Sequence, residues 1–313
     1  MKTNKTALAL IATTVIIAGC TDGGGEESTS TSGVQIGNFS ATPAQTFSGQ
    51  SARITLTATN QGGVDASNAV AKLYQAPIGS SDSQWTLGSD PQLYDIGSIR
   101  AADPENEVPA QQRRVNWALT APEIGSQPVD YNFQTRLYYD YTGEATTQIE
   151  LVQEDEFLQG DYSPSRPTTT NTGGPIQLEV NTRSPVRYFD SGDSNIDSDL
   201  CVTVRNQGEG TPFTGSVDDY TSDEDIDLGG DSSPRDKVDI SVSDSAGVDF
   251  GDEGETTVNS TVQLTGSRGN HCFEMTLPDA EGFSITQTVP ITIEAHYGYY
   301  TDASTTATVQ PTR

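Results

Sequence analysis

Positively charged residues are scarce in this chain. It has 16 lysine and arginine residues against 44 aspartate and glutamate residues, which gives a formal net charge of −28 at pH 7. Beyond Lys5 the only lysines are Lys72 and Lys237. Proteins that bind nucleic acids need a basic surface to neutralise phosphates, and anionic membrane surfaces attract basic segments in the same way. The composition therefore argues against nucleic acid and against acidic lipid surfaces as partners.

Histidine and cysteine, which supply many metal ligands and nucleophiles, are also rare. The chain has two histidines, His271 and His296, and three cysteines. Neither histidine has a partner at metal-ligand spacing, whereas a zinc site needs three or four ligands. The sequence also lacks a Gly-x-Ser-x-Gly elbow, a phosphate-binding glycine loop and a dinucleotide fingerprint. We therefore expect a protein that is not an enzyme and has no organic cofactor.

The first 19 residues have the three parts of an export signal. Lys2 and Lys5 form the positive start, residues 7–17 form a short apolar run, and two small residues lead into Cys20. The run is too short to span a bilayer, which takes about 20 apolar residues. Residues 17–20, Ile-Ala-Gly-Cys, resemble the lipobox of prokaryotic lipoproteins, in which the cysteine becomes the lipidated first residue. The alternative is an ordinary signal peptide that contains a cysteine.

A polar stretch and an acidic surface follow the signal. Residues 20–33 are rich in glycine, serine and threonine, which predicts a flexible tether. No later segment is apolar enough to cross a membrane, so the lipobox resemblance implies a chain held by a lipid on Cys20 at the outer face of the cell membrane. The acidic, lysine-poor composition resembles that of haloarchaeal and other halophilic proteins, whose carboxylates hold water and cations while salt screens their repulsion.

The rest of the chain contains an internal duplication. The sequence from Ala52, ARITLTATNQGG, corresponds to DLCVTVRNQGEG from Asp199, and two later pairs of blocks follow in the same order. Each block alternates apolar and polar residues with a period of two, which is typical of half-buried strands. About seven such strands per repeat predict an all-β fold of two tandem immunoglobulin-like β-sandwiches. Their predicted bounds are 34–164 and 176–313, with a linker at 165–175.

One stretch of the first repeat resembles a known group of modules. Its alternating strand ends at Asn60-Gln61-Gly62 and is followed by ASNAVAKLY from Ala66. This arrangement resembles CARDB-like and related Ig-like modules of archaeal surface proteins, in which a strand ends at an Asn-x-Gly turn. The resemblance implies tandem Ig-like sandwiches in a haloarchaeal surface lipoprotein, and it carries no catalytic residue.

Cys201 and Cys272 are expected to form a disulfide, because exported proteins mature in an oxidising environment. Each alternates with polar residues along its strand, whereas the adjacent Val202 and Phe273 are apolar. Both cysteines should therefore lie on the solvent face. In sandwich order their strands are the second and the fifth, which are neighbours in one sheet.

The first repeat has no such bridge, since Thr55 and Asn116 occupy the matching positions. If the repeats fold independently, reduction should weaken the second repeat alone. The chain-entropy estimate for closing the loop is at most ~4 kcal/mol.

One run of carboxylates has a spacing worth testing for metal binding: Asp223, Asp225 and Asp227. These alternate acids start like a calcium loop, but the glycine at the sixth position and the glutamate at the twelfth are missing. Two interpretations stay open, a looser Ca²⁺ or Na⁺ site and a solvated acidic loop.

Other candidate residues are aromatic or lie in glycosylation sequons. Aromatic side chains near the end of a sandwich can anchor a protein or sugar partner, or they can fill the end of the core. The residues concerned are Tyr138, Tyr139, Tyr141, Tyr297, Tyr299 and Tyr300. Asn38 and Asn259 each open an Asn-x-Ser/Thr sequon, the acceptor pattern for N-glycosylation.

These observations favour a non-catalytic binding or scaffolding module in the cell envelope of a halophile. Its partner would be another envelope protein, a glycan or a second copy of the chain. One alternative is a structural subunit of an extracellular filament or surface assembly. Another is an accessory subunit of an envelope enzyme or transporter.

The acidic composition predicts that stability depends on salt. We expect the melting temperature to rise between about 0.1 M and about 1 M NaCl, because the Debye length falls from about 10 Å to about 3 Å. Differential scanning calorimetry measures the change. A melting temperature that does not move would contradict the halophilic interpretation.

Overall fold

The structure is a computed structural model that describes residues 31–188, 196–222, 226–229, 233–250, 256–277 and 285–312. The predicted signal peptide, Cys20 and most of the predicted tether lie outside these residues. Strands dominate the described chain, and the two helices among them are short, α1 (Glu154–Gln159) and α2 (Val217–Tyr220). The predicted all-β class is confirmed.

Each half of the chain forms a matching series of strands. Those of the first half are β1 (Val34–Thr42), β2 (Gln45–Phe47), β3 (Ser51–Asn60), β4 (Ala66–Tyr74), β5 (Thr86–Leu87), β6 (Leu93–Ile99), β7 (Gln112–Thr120) and β8 (Val129–Gln153). Those that follow are β9 (Thr169–Asn171), β10 (Ile176–Val180), β11 (Val186–Tyr188), β12 (Ile196–Asn206), β13 (Thr211–Phe213), β14 (Lys237–Ser243), β15 (Asp249–Phe250), β16 (Thr257–Gln263), β17 (Arg268–Leu277) and β18 (Thr286–Gln310).

The strands form three sheets, one of which runs through both halves. The first half has a four-stranded sheet in the order β1-β3-β7-β5, and the second half has its counterpart, β10-β12-β17-β15. The third sheet has ten strands, with the main order β16-β14-β18-β8-β4-β6. Its outer strands mirror each other, since β4 and β6 take the places that β14 and β16 take in the second half. The same strand order in both halves agrees with the duplication.

Both four-stranded sheets pack on one face of the ten-stranded sheet. Along β8 every second side chain is buried from Phe133 to Leu151, because successive side chains of a strand point to opposite faces. Residues paired across two strands share a face, so the buried side chains of β8 and β18 point the same way. The buried apolar residues of the two halves accordingly form one continuous cluster, from Trp117 in the first half to Phe273 in the second.

A pseudo-twofold axis relates the halves and passes between β8 and β18. The duplication equates Tyr139 with Tyr297 and Tyr141 with Tyr299. The antiparallel register pairs Tyr139 with Tyr299 and Tyr141 with Tyr297, as a twofold axis requires. The axis lies where Asp140 pairs with Gly298.

The C-terminal part of each long strand crosses into the opposite half. β11 of the second half pairs in parallel with Leu151 at the end of β8, and β2 of the first half pairs in the same way with Val309 at the end of β18. Leu151 and Val309 are both buried. The two predicted sandwiches therefore exchange strand segments and share one sheet, so they are halves of one folded unit.

Part of the predicted linker at 165–175 is a strand of the ten-stranded sheet. Within it β9 pairs antiparallel with Ala145 to Thr147 of β8. Its two threonines suit a strand, since Thr is enriched in strands, but composition alone does not reveal that this segment pairs with β8.

The disulfide between Cys201 and Cys272 is confirmed, and it lies where alternation places it. The cysteines face each other on the neighbouring strands β12 and β17, with a Cα–Cα distance of 4.0 Å. The Cys201 amide and carbonyl bond to Thr182 and Asn181 on the far side, so the cysteines form a non-hydrogen-bonded pair, in which Cα atoms approach most closely. Cys272 is exposed.

A pair of polar residues occupies the matching positions of the first half. Thr55 and Asn116 are also directly paired across β3 and β7, and the Thr55 hydroxyl donates to Asn116 Oδ1 at 2.9 Å. A hydrogen bond in the first half thus occupies the place of the covalent bridge in the second. Val202 and Phe273 are buried, as predicted.

The shared sheet changes the expected effect of reducing the disulfide. Both tryptophans, Trp85 and Trp117, lie in the first half, and the bridge lies in the second. Because the halves share a core, we expect reduction to lower the urea midpoint that tryptophan fluorescence reports. The free energy of unfolding should fall by at most ~4 kcal/mol. Independent halves would leave that midpoint unchanged.

The matched control for this experiment introduces a bridge in the first half. A Thr55→Cys/Asn116→Cys variant has cysteines at the equivalent cross-strand pair, and oxidation should raise the same midpoint.

Candidate functional site

The six candidate tyrosines form pairs of tilted rings across β8 and β18, and all are at most 7% exposed. On the core face, Tyr139 pairs with Tyr299 at 5.7 Å between ring centroids and Tyr141 with Tyr297 at 5.9 Å. On the outer face, the rings of the remaining pair, Tyr138 and Tyr300, are 5.7 Å apart. The partner-binding interpretation of these residues is therefore wrong, because their rings fill the interior where the halves meet.

We call these six residues the tyrosine ladder. Two of their hydroxyl groups form hydrogen bonds at the Asn-x-Gly turns. The Tyr141 hydroxyl donates to the Gly173 carbonyl at 2.7 Å and accepts from the Val64 amide at 3.3 Å. In the second half, the Tyr299 hydroxyl donates to Asn206 Oδ1 and accepts from the Gly210 amide, both at 2.9 Å. Each long strand thus holds the turn that follows the second main strand of its own half.

An ion pair joins the long strands on the outer face. The Arg136 guanidinium forms two hydrogen bonds to the Asp302 carboxylate, at 2.6 and 2.8 Å. It lies 4.1 Å from the ring centroid of Tyr300 and 4.7 Å from that of Tyr74. Burial alone would lower the pKa of Arg136, but the hydrogen bonds and charge of Asp302 raise it above its ordinary value. Arg136 is therefore a fixed cation at the junction.

The predicted acidic loop packs on this outer face. Its described apolar residues form a second buried cluster with Val70, Tyr138 and Tyr300; they are Phe213, Val217, Ile226 and Leu228. The Asp140 carboxylate, on the pseudo-twofold axis, accepts from the Val217 amide at 2.7 Å and from the Ser216 hydroxyl. We call the described parts of 211–229 the strap, because they connect the second half to β4 and β8.

The described residues of this loop do not form a metal-binding arrangement. Asp223 and Asp225 lie outside the described residues. Asp227 is exposed, and its Oδ1 accepts from the Gly229 amide at 2.8 Å. Within the described ranges, no three His, Cys, Asp or Glu residues lie close enough together to hold a metal ion.

The histidines lie on strands with polar neighbours. His271 Nδ1 is 3.3 Å from the Ser260 hydroxyl, and His296 lies 3.2 Å from Thr142 and 3.0 Å from Glu294. The two histidines are therefore placed in separate polar contacts.

The sequon asparagines are both exposed. Asn38 lies on β1, and Asn259 lies on β16 at an edge of the ten-stranded sheet. Both side chains are accessible, and their glycosylation stays a prediction.

A large cleft opens on the outer face beside the C-terminal part of β8, with a volume of about 750 Å³. Its floor comes from β8 and from Pro290 of β18, and its walls come from residues 161–170 and from Ser184 and Pro185. We call it the β8 cleft. Its lining is mostly hydroxyl, amide and carboxylate groups, with one aromatic ring, Tyr162.

The β8 cleft was not predicted from the sequence. The segment that forms its wall has no period-two or helical pattern, and its composition is that of a linker. The aromatic residues Phe157, just before the wall, and Tyr162, within it, were the available signal, because flexible linkers rarely contain aromatic residues.

No family model matches the chain, and no curated protein matches it in sequence. Solved structures give weak likenesses. One is the C-terminal globular domain of an oligosaccharyltransferase from Pyrococcus abyssi, with 11% identity, a TM-score of 0.21, and coverage of 86% of this chain and 46% of that one. Another is the CupB6 tip adhesin from Pseudomonas aeruginosa, with 7% identity, a TM-score of 0.17, and coverage of 90% and 97%. Scores at this level carry no argument.

Two findings bear on location. The Cys201–Cys272 bridge indicates an extracytoplasmic protein, since disulfides persist in oxidising compartments. Over the described ranges, the helices are too short or too polar to cross a membrane.

The burial of the tyrosine ladder leads us to expect a loss of stability at alkaline pH. Burial raises the pKa of Tyr141 and of Tyr299 to about 12, and raises those of Tyr139 and Tyr297 well above the ordinary value. The unfolded chain loses these protons near pH 10 and the folded chain near pH 12 or above, so the stabilisation present below about pH 10 is lost as pH rises.

Urea unfolding between about pH 9 and pH 11.5 tests this sign. Tyr299→Phe should reduce the slope of unfolding free energy against pH, because one titrating group is gone. A wild-type slope of zero above about pH 10 would contradict the role given to burial.

Proposed function

We propose that this chain is a non-catalytic binding module displayed at the outer face of the membrane of a halophile, held there by a lipid on Cys20. The observation that carries the proposal is the β8 cleft, an accessible polar cavity built on a rigid scaffold. Two sandwiches that share strands and one core form a stiff body, and stiff bodies present a preformed site at little entropic cost.

The position of the covalent bridge supports a surface role. Cys272 is exposed, and the bridge joins neighbouring strands outside the core. A bridge in this place survives only where the surroundings are oxidising, which agrees with export and with attachment through Cys20, the residue that follows the signal.

A structural subunit of an assembly is the second candidate, and one edge strand favours it. β16 lies at an end of the ten-stranded sheet and carries no charged side chain. Uncharged edges can pair with a strand from another molecule. Sedimentation at high salt separates the candidates, since a binding module stays monomeric as concentration rises and a subunit assembles.

The anchor is tested by Cys20→Ser with Cys201 and Cys272 unchanged. We expect the variant to leave the membrane fraction, because the lipid has no attachment atom, and to appear in the medium or as an unprocessed precursor. Fractionation with membranes at the wild-type level would contradict the anchor.

The binding role is tested by crosslinking intact cells. A photoreactive residue at Gln148, in the floor of the β8 cleft, should give crosslinked products. The matched control is Ser304, an exposed residue on the outer face of β18, which should give fewer. Equal yields at both positions would contradict a binding site at the cleft.

A further inference from the structure

The floor of the β8 cleft is a row of polar side chains on rigid strands. Thr146 and Gln148 are exposed and Glu150 is half-buried on the outer face of β8. Pro290 of β18 lies directly opposite Gln148. Because β8 is paired with β18 along this whole stretch, the spacing of these groups is fixed before any ligand arrives.

The walls are bonded to the floor and to each other. Ser165 and Ser184 exchange backbone hydrogen bonds of 2.9 and 2.8 Å. The Thr147 hydroxyl donates to the Thr168 carbonyl at 2.9 Å, and the Glu150 amide donates to the Ser184 hydroxyl at 2.9 Å. The segment that composition identifies as a linker is therefore held as a wall.

Tyr162 provides a fixed aromatic surface at the cleft. Its ring stacks on Phe157 with 5.5 Å between centroids and 11° between planes. On another side it lies against Gly160, where an added Cβ would be 2.5 Å from a ring carbon. These two contacts set the orientation of the ring, and the side chain remains only half-buried.

The chemistry of the lining selects among classes of ligand. Arg166 belongs to the lining, but its guanidinium is paired at 3.2 Å with Glu179, which lies outside the lining. Glu150 and Asp161 therefore leave the cleft with an excess of negative charge, which disfavours anions. A peptide that adds to a sheet needs a free edge, but β8 is paired with β18 on one side and with β9 and β11 on the other. The hydroxyl, amide and carboxylate groups instead match the many hydroxyls of a sugar.

We propose that the β8 cleft binds an uncharged oligosaccharide, with one sugar ring packed on Tyr162 and its hydroxyls bonded to Thr146, Gln148 and Glu150. An apolar sugar face packs on an aromatic ring, while polar groups fix its orientation. The volume of about 750 Å³ falls within the range of small-ligand sites, about 300–1,000 Å³. This inference rests on the proposed function, because it names the ligand class of the binding module.

The test uses the full chain purified from membranes in detergent at high salt. An array of neutral and acidic oligosaccharides and a displayed peptide library are screened, and the best neutral oligosaccharide is titrated by calorimetry. We expect neutral oligosaccharides to bind and Tyr162→Ala to weaken binding at least about tenfold, which corresponds to about 1.4 kcal/mol. Tyr162→Phe keeps the ring and should bind within about threefold of the wild type.

The matched control is Tyr94→Ala, which removes a half-buried tyrosine on β6, in the first half and away from the cleft. It should bind as the wild type does, and equal losses in both alanine variants would overturn the assignment. So would an absence of neutral oligosaccharide binding, or binding of acidic glycans or peptides alone. Crosslinking at Gln148 without any oligosaccharide binding would overturn the ligand class and leave the binding role standing, so the two failures are distinguishable.

Discussion

The antiparallel pairing of β8 with β18 is the contact on which the rest of the fold depends. It joins the halves, brings the tyrosines together in the interior and carries the end of each strand into the opposite core. Separating the halves would expose Ile149, Leu151 and Val309, among others, and each buried apolar side chain of this size contributes roughly 1.5–3 kcal/mol. The same pairing fixes the floor of the β8 cleft, so the stability of the scaffold and the geometry of its candidate site have one source.

Local patterns predicted the faces of the strands correctly. The alternation around Cys201 and Cys272 places the cysteines outside and Val202 and Phe273 inside, because period two in sequence becomes opposite faces in space. The matching pair Thr55 and Asn116 was found in the same way, and it forms a hydrogen bond where the second half has a disulfide. These inferences need only a strand and its neighbours in sequence.

Such local patterns could not predict which strands pair when they are far apart in sequence. Every second side chain of β8 is buried from Phe133 to Leu151, but alternation specifies a face and gives no information about the partner strand. A hairpin that ends at the tyrosines and a long strand that crosses into the other half have the same local signature. The cleft wall had no signature, since a segment without periodicity acquires its shape from contacts with β8 and with Ser184 that exist only after folding.

The departures from twofold symmetry lie on the outer face. On the core face the halves match, since Tyr139 and Tyr297 are equivalent, as are Tyr141 and Tyr299. On the outer face the axis pairs Asp140, which binds the strap, with Gly298, where an added Cβ would lie 2.1 Å from the Phe213 ring. In a core shared by both halves, a buried residue of β8 or β18 must fit its own half. The end of the same strand must also fit the opposite half, into which it crosses. The outer face is free of that constraint, and the strap and the β8 cleft both lie there, so the halves can diverge on this face while the core stays symmetric.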